Sequence, residues 1–171
     1  MEQKRKTGKS TRIESIVQET LISNYEKYYR LAYSYVHKEA DAQDIVQEGA
    51  YKAILHSDSL KKEEYADTWI YRIMMNEALT FLRKNKVQNV NIEDIQETAA
   101  DTGHDLDLKQ AVDALEPLER AVIILRFFED LKLEQIAAIT GENINTVKTK
   151  LYRTLKKLNI ILDQGKAWEK A

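Results

Sequence analysis

Apolar positions recur at helical spacing through most of the chain. After Asp41, the residues Ala42, Ile45, Val46, Gly49, Ala50, Ala53 and Ile54 fall at i, i+3, i+4, i+7 and i+8, the spacing of one helix face. This predicts a helix from about Asp41, whose carboxylate can cap the first amides, to about Leu55. Upstream, Thr11-Arg12-Ile13-Glu14 has capping-box spacing and predicts a helix from Thr11 to His37. His56–Lys62 is polar and reads as a loop, and a third helix is expected from Glu63 to Lys86. The stretch Gln88–Asp105 has no helical period, is acidic and contains Gly103, so it reads as a linker. Helical spacing resumes over Leu106–Leu115, Pro117 opens another helix at its first turn, and two more follow. The expectation is all-α: a basic tail over 1–12, a three-helix domain over 13–87, a flexible acidic linker over 88–105 and a four-helix domain over 106–171.

Composition adds exclusions. Five glycines, one proline and no Asn-Gly or Asp-Gly pair leave little turn chemistry for a β-protein of 171 residues. The absence of cysteine excludes a disulfide framework, a thiolate zinc site and cysteine catalysis. Apolar runs such as Ala121–Leu125 fall far short of the roughly 18 residues that span a bilayer. Met1–Arg12 is basic but no apolar stretch of a secretory signal follows it, so the expected location is the cytoplasm. The 26 basic and 28 acidic residues nearly cancel, yet they are segregated. Met1–Arg12 carries Lys4, Arg5, Lys6, Lys9 and Arg12 against Glu2 alone. Asn91–Asp107 is purely acidic, and Asn143–Leu162 carries Lys148, Lys150, Arg153, Lys156 and Lys157 with no acid. Such blocks point to separate working surfaces.

The segment Leu133–Lys148 has the makings of a helix-turn-helix: small Ala137 where a second helix crosses closely, Gly141 for a positive-φ turn, and Val147 facing inward. Asn145 is expected to cap the second helix. On that helix Val147, Leu151, Leu155, Leu158 and Leu162 would face the core, and Lys148, Thr149, Tyr152, Arg153 and Lys156 would face outward. Cations meet phosphates or guanine edges and Thr and Tyr meet methyls, so this face suits a major groove, although a basic helix on a bundle can also be merely solvated.

The third helix interleaves Tyr65, Trp69 and Tyr71 with Arg72, Asn76, Thr80, Arg83, Lys84 and Lys86. Aromatic stacking with nearby cations suits single-stranded DNA, while a Trp at helical spacing serves a core equally well. Asp41, Asp44, Gln47 and Glu48 form an acidic edge that reads either as helix-dipole compensation or as a docking surface for a basic partner. His37, His56 and His104 are scattered without a second ligand at i+3 or i+4. No phosphate loop, nucleophile elbow or acid/base pair appears, so neither catalysis, a metal, a cofactor nor a small-molecule substrate is expected.

Together these segments resemble the extracytoplasmic-function (ECF, group IV) RNA polymerase sigma factors, in particular their sigma-V type, over roughly Leu21–Leu158. The resemblance is carried by Asp41-Ala-Gln-Asp-Ile-Val-Gln-Glu, by Trp69-Ile-Tyr-Arg-Ile-Met-Met-Asn with its downstream Leu-Arg, and by the Pro117–Leu158 helix-turn-helix region. It implies a sigma-2 domain, a linker and a sigma-4 domain that direct transcription initiation, with no enzymatic activity. It implies that Asp41, Asp44, Ile45, Gln47 and Glu48 dock on the β′ clamp helices of core RNA polymerase, with the β flap as a further contact. Tyr65, Trp69, Tyr71, Arg72, Asn76, Thr80, Arg83 and Lys84 would melt and read the −10 element of promoter DNA, with Asn76 at a flipped-out base. Asn145, Thr146, Lys148, Thr149, Lys150, Tyr152, Arg153 and Lys156 would read the −35 element. It further implies a stress response and a membrane-anchored anti-sigma factor holding the chain at the inner face of the membrane. The family often has Gly where Asn145 stands and Arg where Lys148 and Lys150 stand, and the 1–12 extension lies outside its pattern. Two alternatives stand beside it: a helix-turn-helix regulator binding an operator alone, and a polymerase-associated adaptor binding only protein.

Overall fold

The structure is a computed structural model that describes the backbone of residues 2–88 and 103–169 and the side chains of 8, 10–86 and 108–159. Every regular element among the described residues is helical, and the chain divides into two compact units, Met1–Arg83 with Ala138–Gly141, and Lys84–Ala137 with Glu142–Ala171. Most of the expected linker, residues 89–102, lies outside the described residues, as does the side chain of Leu162.

In the first unit, α1 (Glu2–Ser23) and α2 (Tyr25–Val36) replace the single helix expected from Thr11 to His37. The chain turns at Asn24, whose side-chain amide donates to Asp67 Oδ1 at 3.3 Å while its carbonyl accepts the Lys27 and Tyr28 amides. Asn24 keeps helical hydrogen bonding on both sides, its own amide donating to the Thr20 carbonyl at 3.0 Å, and the chain bends there at φ −112°, ψ 15° while the side chain ties the elbow to α4. Thr11 is not a cap: α1 already runs from Glu2, so the expected basic tail forms the opening turns of a helix. His37 ends α2 in the left-handed conformation (φ 53°), and its N–H donates to the Tyr33 carbonyl at 2.8 Å. α3 (Glu39–Leu55) begins after extended Lys38, which puts Asp41 in the first turn rather than at the cap. Two 3₁₀ turns, Ser57–Ser59 and Glu63–Tyr65, lead into α4 (Ala66–Gln88), so the regular part of the third expected helix begins after Tyr65.

The core of this unit gathers Val17, Tyr28, Leu31, Ile45, Ile70, Tyr71 and Met74. Gly49 permits close approach here, because a β-carbon on it would collide with the Met74 thioether. Tyr28 lies edge-on to Tyr71 at 4.9 Å and donates to Asp67 Oδ1 at 2.6 Å. Burial, and then the bond to the Asp67 carboxylate, push the Tyr28 hydroxyl far above its ordinary range, so it stays a donor. Asp67 thereby fastens the start of α4 to α2 and to the α1–α2 elbow.

The second unit contains α5 (Gly103–Asp113), α6 (Pro117–Ile123), the start of α7 (Leu133–Thr140) and α8 (Ile144–Glu169), while Ala138–Gly141, which end α7, group with the first. Pro117 opens α6 as its missing N–H allows. Buried Arg120 donates to the Asp113 and Leu115 carbonyls, closing the end of α5. Buried Glu119 accepts the Glu116 amide at 3.4 Å and both of its oxygens face Lys157 Nζ, at 2.6 and 2.9 Å, which ties α6 to α8. Glu119→Ala removes the cap and the tie together. It is expected to lower the unfolding free energy by about 1–3 kcal/mol in urea titrations, with Glu119→Gln intermediate. After Ile123 the helix widens into a π-turn, Ile124–Phe128, and Asp130 follows at φ 50°. No helix among the described residues is long and apolar enough to cross a membrane.

Candidate functional site

α3 presents two faces. Ala42, Ile45, Val46, Gly49 and Ala53 are buried, while Asp44, Gln47 and Glu48 are exposed and Asp41 is half-buried. Ile45, expected among the docking residues, is only 2% exposed and serves the core, because it falls about a quarter-turn round the helix from the acidic row. The exposed row continues through Tyr51 and Leu55, 62% and 58% exposed, which reasoning on charged residues alone passed over. Their spacing from Asp44 and Glu48, at i+7 and i+11, was the available signal. Glu48 stands 3.3 Å from Lys52 Nζ, and Lys52 reaches Glu77 on α4 at 2.7 Å. That bond to Glu77 is the first cause raising the Lys52 pKa, so the lysine stays charged.

α4 and the turn before it carry the second set. Tyr65, Arg72, Asn76, Arg83 and Lys84 are exposed, and Trp69 and Thr80 are half-buried. Arg83 Nη2 donates to Thr80 Oγ1 at 3.2 Å, and Lys62 Nζ sits over the Tyr65 ring at 5.6 Å. Tyr71 corrects the expectation: it is fully buried against Tyr28, so its ring reaches no strand of DNA. Its neighbours one and five residues further on, Arg72 and Asn76, hold the outward face that it lacks. The polar stripe of Arg72, Asn76, Thr80 and Arg83 thus forms one continuous edge beside Tyr65 and Trp69.

The third set lies on α8. Gly141 takes φ 74°, as the turn of a helix-turn-helix requires. The cap is Asn143 and not Asn145: Asn143 Oδ1 accepts the Thr146 amide at 2.8 Å and the Thr146 hydroxyl at 3.1 Å. α8 therefore begins at Ile144, and Asn145 lies within its first turn, its carbonyl accepting Thr149 Oγ1 at 2.9 Å. Val147, Leu151 and Leu158 are buried; Asn145, Lys148, Thr149, Tyr152, Arg153 and Lys156 are exposed. Lys150 is bound to Glu142 at 2.9 Å, which partly neutralises it. Asn143, Asn145, Thr146, Thr149, Lys150 and Arg153 line a shallow concavity at the start of the helix. A separate apolar groove, bounded by Leu108, Val112, Phe127, Phe128 and Leu155, opens on the same unit. The π-turn leaves Phe127 and Phe128 57% and 60% exposed there.

Comparison with known proteins agrees with this layout. Residues 21–87 match the model of Sigma-70 region 2, and residues 105–158 match that of Sigma-70, region 4. The chain is 46% identical over 148 residues to the RNA polymerase sigma factor SigV of Bacillus subtilis (strain 168), covering 84% of this chain and 89% of that protein. It is 30% identical to an RNA polymerase sigma-E factor of Streptomyces coelicolor, covering 69% of this chain and 70% of the relative. Among solved structures, the sigma factor RpoE in complex with the anti-sigma factor NepR from Bartonella quintana superposes with a TM-score of 0.71 at 28% identity, covering 85% of this chain and 96% of that one. CnrH, solved in complex with the cytosolic domain of CnrY, shares the fold at a TM-score of 0.69 and 19% identity, covering 91% of this chain and 95% of that one. The chain belongs to the ECF group of the sigma-70 family of RNA polymerase sigma factors, the proteins that direct transcription initiation.

Proposed function

We propose that three surfaces of this sigma factor divide the labour of initiation. The exposed row Asp44, Gln47 and Glu48 on α3 docks core polymerase at its β′ clamp helices. The edge formed by Tyr65, Trp69, Arg72, Asn76, Thr80 and Arg83 takes the melted −10 strand, its aromatics stacking bases and its cations following phosphates. The outward face of α8, with Lys148, Thr149, Tyr152, Arg153 and Lys156, enters the major groove of the −35 element. The observation that carries this reading is the sidedness of α8: Val147, Leu151 and Leu158 are buried while every one of those five side chains is exposed. A helix so divided turns Lys148, Arg153 and Lys156 away from the core it packs on.

The apolar groove with Phe127 and Phe128 suits the apolar face of a partner helix, and we assign it to the β flap of the polymerase. The similar RpoE is solved with the anti-sigma factor NepR, which supports an inhibitor that covers these surfaces, and we propose that it is membrane-anchored and releases the chain on a stress signal. Run-off transcription with core polymerase on a genomic promoter library is the test. Promoter-selective transcripts are expected only with both components present, and a detergent extract of membranes from unstressed cells should silence them. Tight operator binding by the chain alone, as a symmetric dimer, would instead establish the stand-alone regulator.

A further inference from the structure

Two large apolar side chains stand in water at the C-terminal turns of α3. Tyr51 and Leu55 are exposed, about half a turn round the helix from the face that buries Ala42, Val46, Gly49 and Ala53. At about 100° per residue they fall roughly 20° to either side of Asp44, with Glu48 roughly 40° from it. The four side chains therefore share one stripe, which runs about 16 Å from Asp44 to Leu55 at 1.5 Å per residue. Exposed Ile54 widens its apolar end. Single exposed apolar side chains are ordinary on a protein surface. A tyrosine and a leucine one turn apart, in line with two carboxylates, make a patterned surface.

The stripe is divided along its length. Asp44, Gln47 and Glu48 make its polar half, and Tyr51 and Leu55 its apolar half. Lys52, the one cation between Glu48 and Leu55 in sequence, is committed to Glu48 at 3.3 Å and to Glu77 at 2.7 Å, so it offers little repulsion to a basic partner. The complementary surface is a helix with cations at one end of its contact row and apolar side chains at the other, since a helix laid along α3 meets both halves at once. Carboxylates govern how fast such surfaces meet, because charge acts at a distance. Desolvated aromatic and aliphatic side chains govern how slowly they part.

We infer that Tyr51 and Leu55 are the apolar anchor by which α3 holds core polymerase, packing on apolar side chains of a helix whose cations face Asp44 and Glu48. The anchor presupposes the docking role proposed for α3. Tyr51 carries the larger share, because a tyrosine ring brings a wide, rigid contact area with only two rotatable bonds to immobilise. The acids orient and speed the encounter, and the anchor lengthens the lifetime of the complex.

The test follows association and dissociation of the full chain with immobilised core polymerase over a KCl series, with urea titration as the folding control. Tyr51→Gln with Leu55→Gln keeps helix propensity and removes the apolar surface. This pair should raise the dissociation rate at least about tenfold, with the association rate and its salt dependence unchanged. Each substitution alone should raise it too, and carries the test should the double variant lose its fold. Restoring the ring without the hydroxyl, as Tyr51→Phe, should bring slow dissociation back. An unchanged dissociation rate overturns the anchor, and so does a Tyr51→Phe variant that parts as fast as Tyr51→Gln, which would make the hydroxyl the contact. Sedimentation of the chain alone reports the other occupant: a dimer that the double variant abolishes, with polymerase dissociation unaltered, would make the stripe a contact between copies. The triple variant Asp44→Ala, Gln47→Ala and Glu48→Ala, run alongside, tests the docking role itself. Weak binding there with normal dissociation of the apolar pair variant keeps the docking role and removes the anchor. The converse keeps the anchor and removes the acids from the interface, and unaltered binding by both variants removes α3 from the interface altogether.

Discussion

Asp44→Ala, Gln47→Ala and Glu48→Ala combined are expected to leave the chain folded and to lower its affinity for core polymerase by at least about 30-fold. The three side chains are exposed on α3 while Ile45, Val46 and Gly49 are buried, so truncating them opens no cavity. Glu48 makes a close internal ion pair with Lys52, and that lysine keeps its shorter contact to Glu77 when Glu48 is gone. Exposed pairs of this kind contribute little to stability, and alanine is the best helix former. A charge buried against a complementary partner is different: truncating one side leaves the other desolvated and unpaired, a loss of about 2–5 kcal/mol. Pull-down against core enzyme, with circular dichroism as the folding control, separates the two roles. If the row only compensates the helix dipole, the triple variant loses roughly 1 kcal/mol of stability and binds polymerase as before. Ile45→Ala should give the reverse pattern, destabilising the unit through its buried position while any loss of polymerase binding follows the loss of fold.

The helices were legible where apolar spacing was long and uninterrupted, as over Ala42–Ile54, and less so where a single side chain overrode the period. Asn24 is such a case. The apolar pattern continues through it from Leu21 to Tyr28, and the break becomes intelligible only through the distant Asp67 that receives its amide. Thr11 misled for the opposite reason: a capping-box spacing marks a helix start only if no helix already runs into it, and α1 begins at Glu2. At α8 the expected cap was Asn145, and the local geometry puts the cap at Asn143, two residues earlier. The π-turn at Ile124–Phe128 has no sequence signature to read, yet it decides that both Phe127 and Phe128 face solvent.

Surface assignments fared according to the same physics. Charged and amide side chains were safe guides, because a helix with one buried face leaves such groups outside, as with Asp44, Glu48, Arg72, Asn76 and Arg153. Apolar and aromatic residues were not, because the same side chain serves core or interface. Tyr71 and Ile45 went inward while Tyr51 and Leu55 went outward, and only packing against Tyr28 and the α2–α3 core distinguishes them.

That distinction gives the second large effect, a separation of the two proposed DNA surfaces by single substitutions. Asn76 is exposed on the same stripe as Arg72 and Arg83, so its amide is accessible to a base edge. A site built to hydrogen-bond loses discrimination when that partner is removed. Asn76→Ala should relax preference at one −10 position by about 1–3 kcal/mol and leave −35 preference alone. Arg153→Ala should do the converse, since Arg153 lines the concavity at the start of α8 together with Asn145 and Thr149. Lys150→Ala should have a smaller effect than Arg153→Ala, its ammonium being already neutralised in part by Glu142. Lys156 lies a further turn along α8, where a point charge meets phosphate rather than a base edge, so Lys156→Ala should weaken all promoters alike and flatten the salt dependence. Transcription by holoenzyme across a randomised promoter library reads all four variants at once. A shift in −35 preference with Asn76→Ala, or the same uniform loss in every variant, would remove the residue assignments while leaving the family untouched.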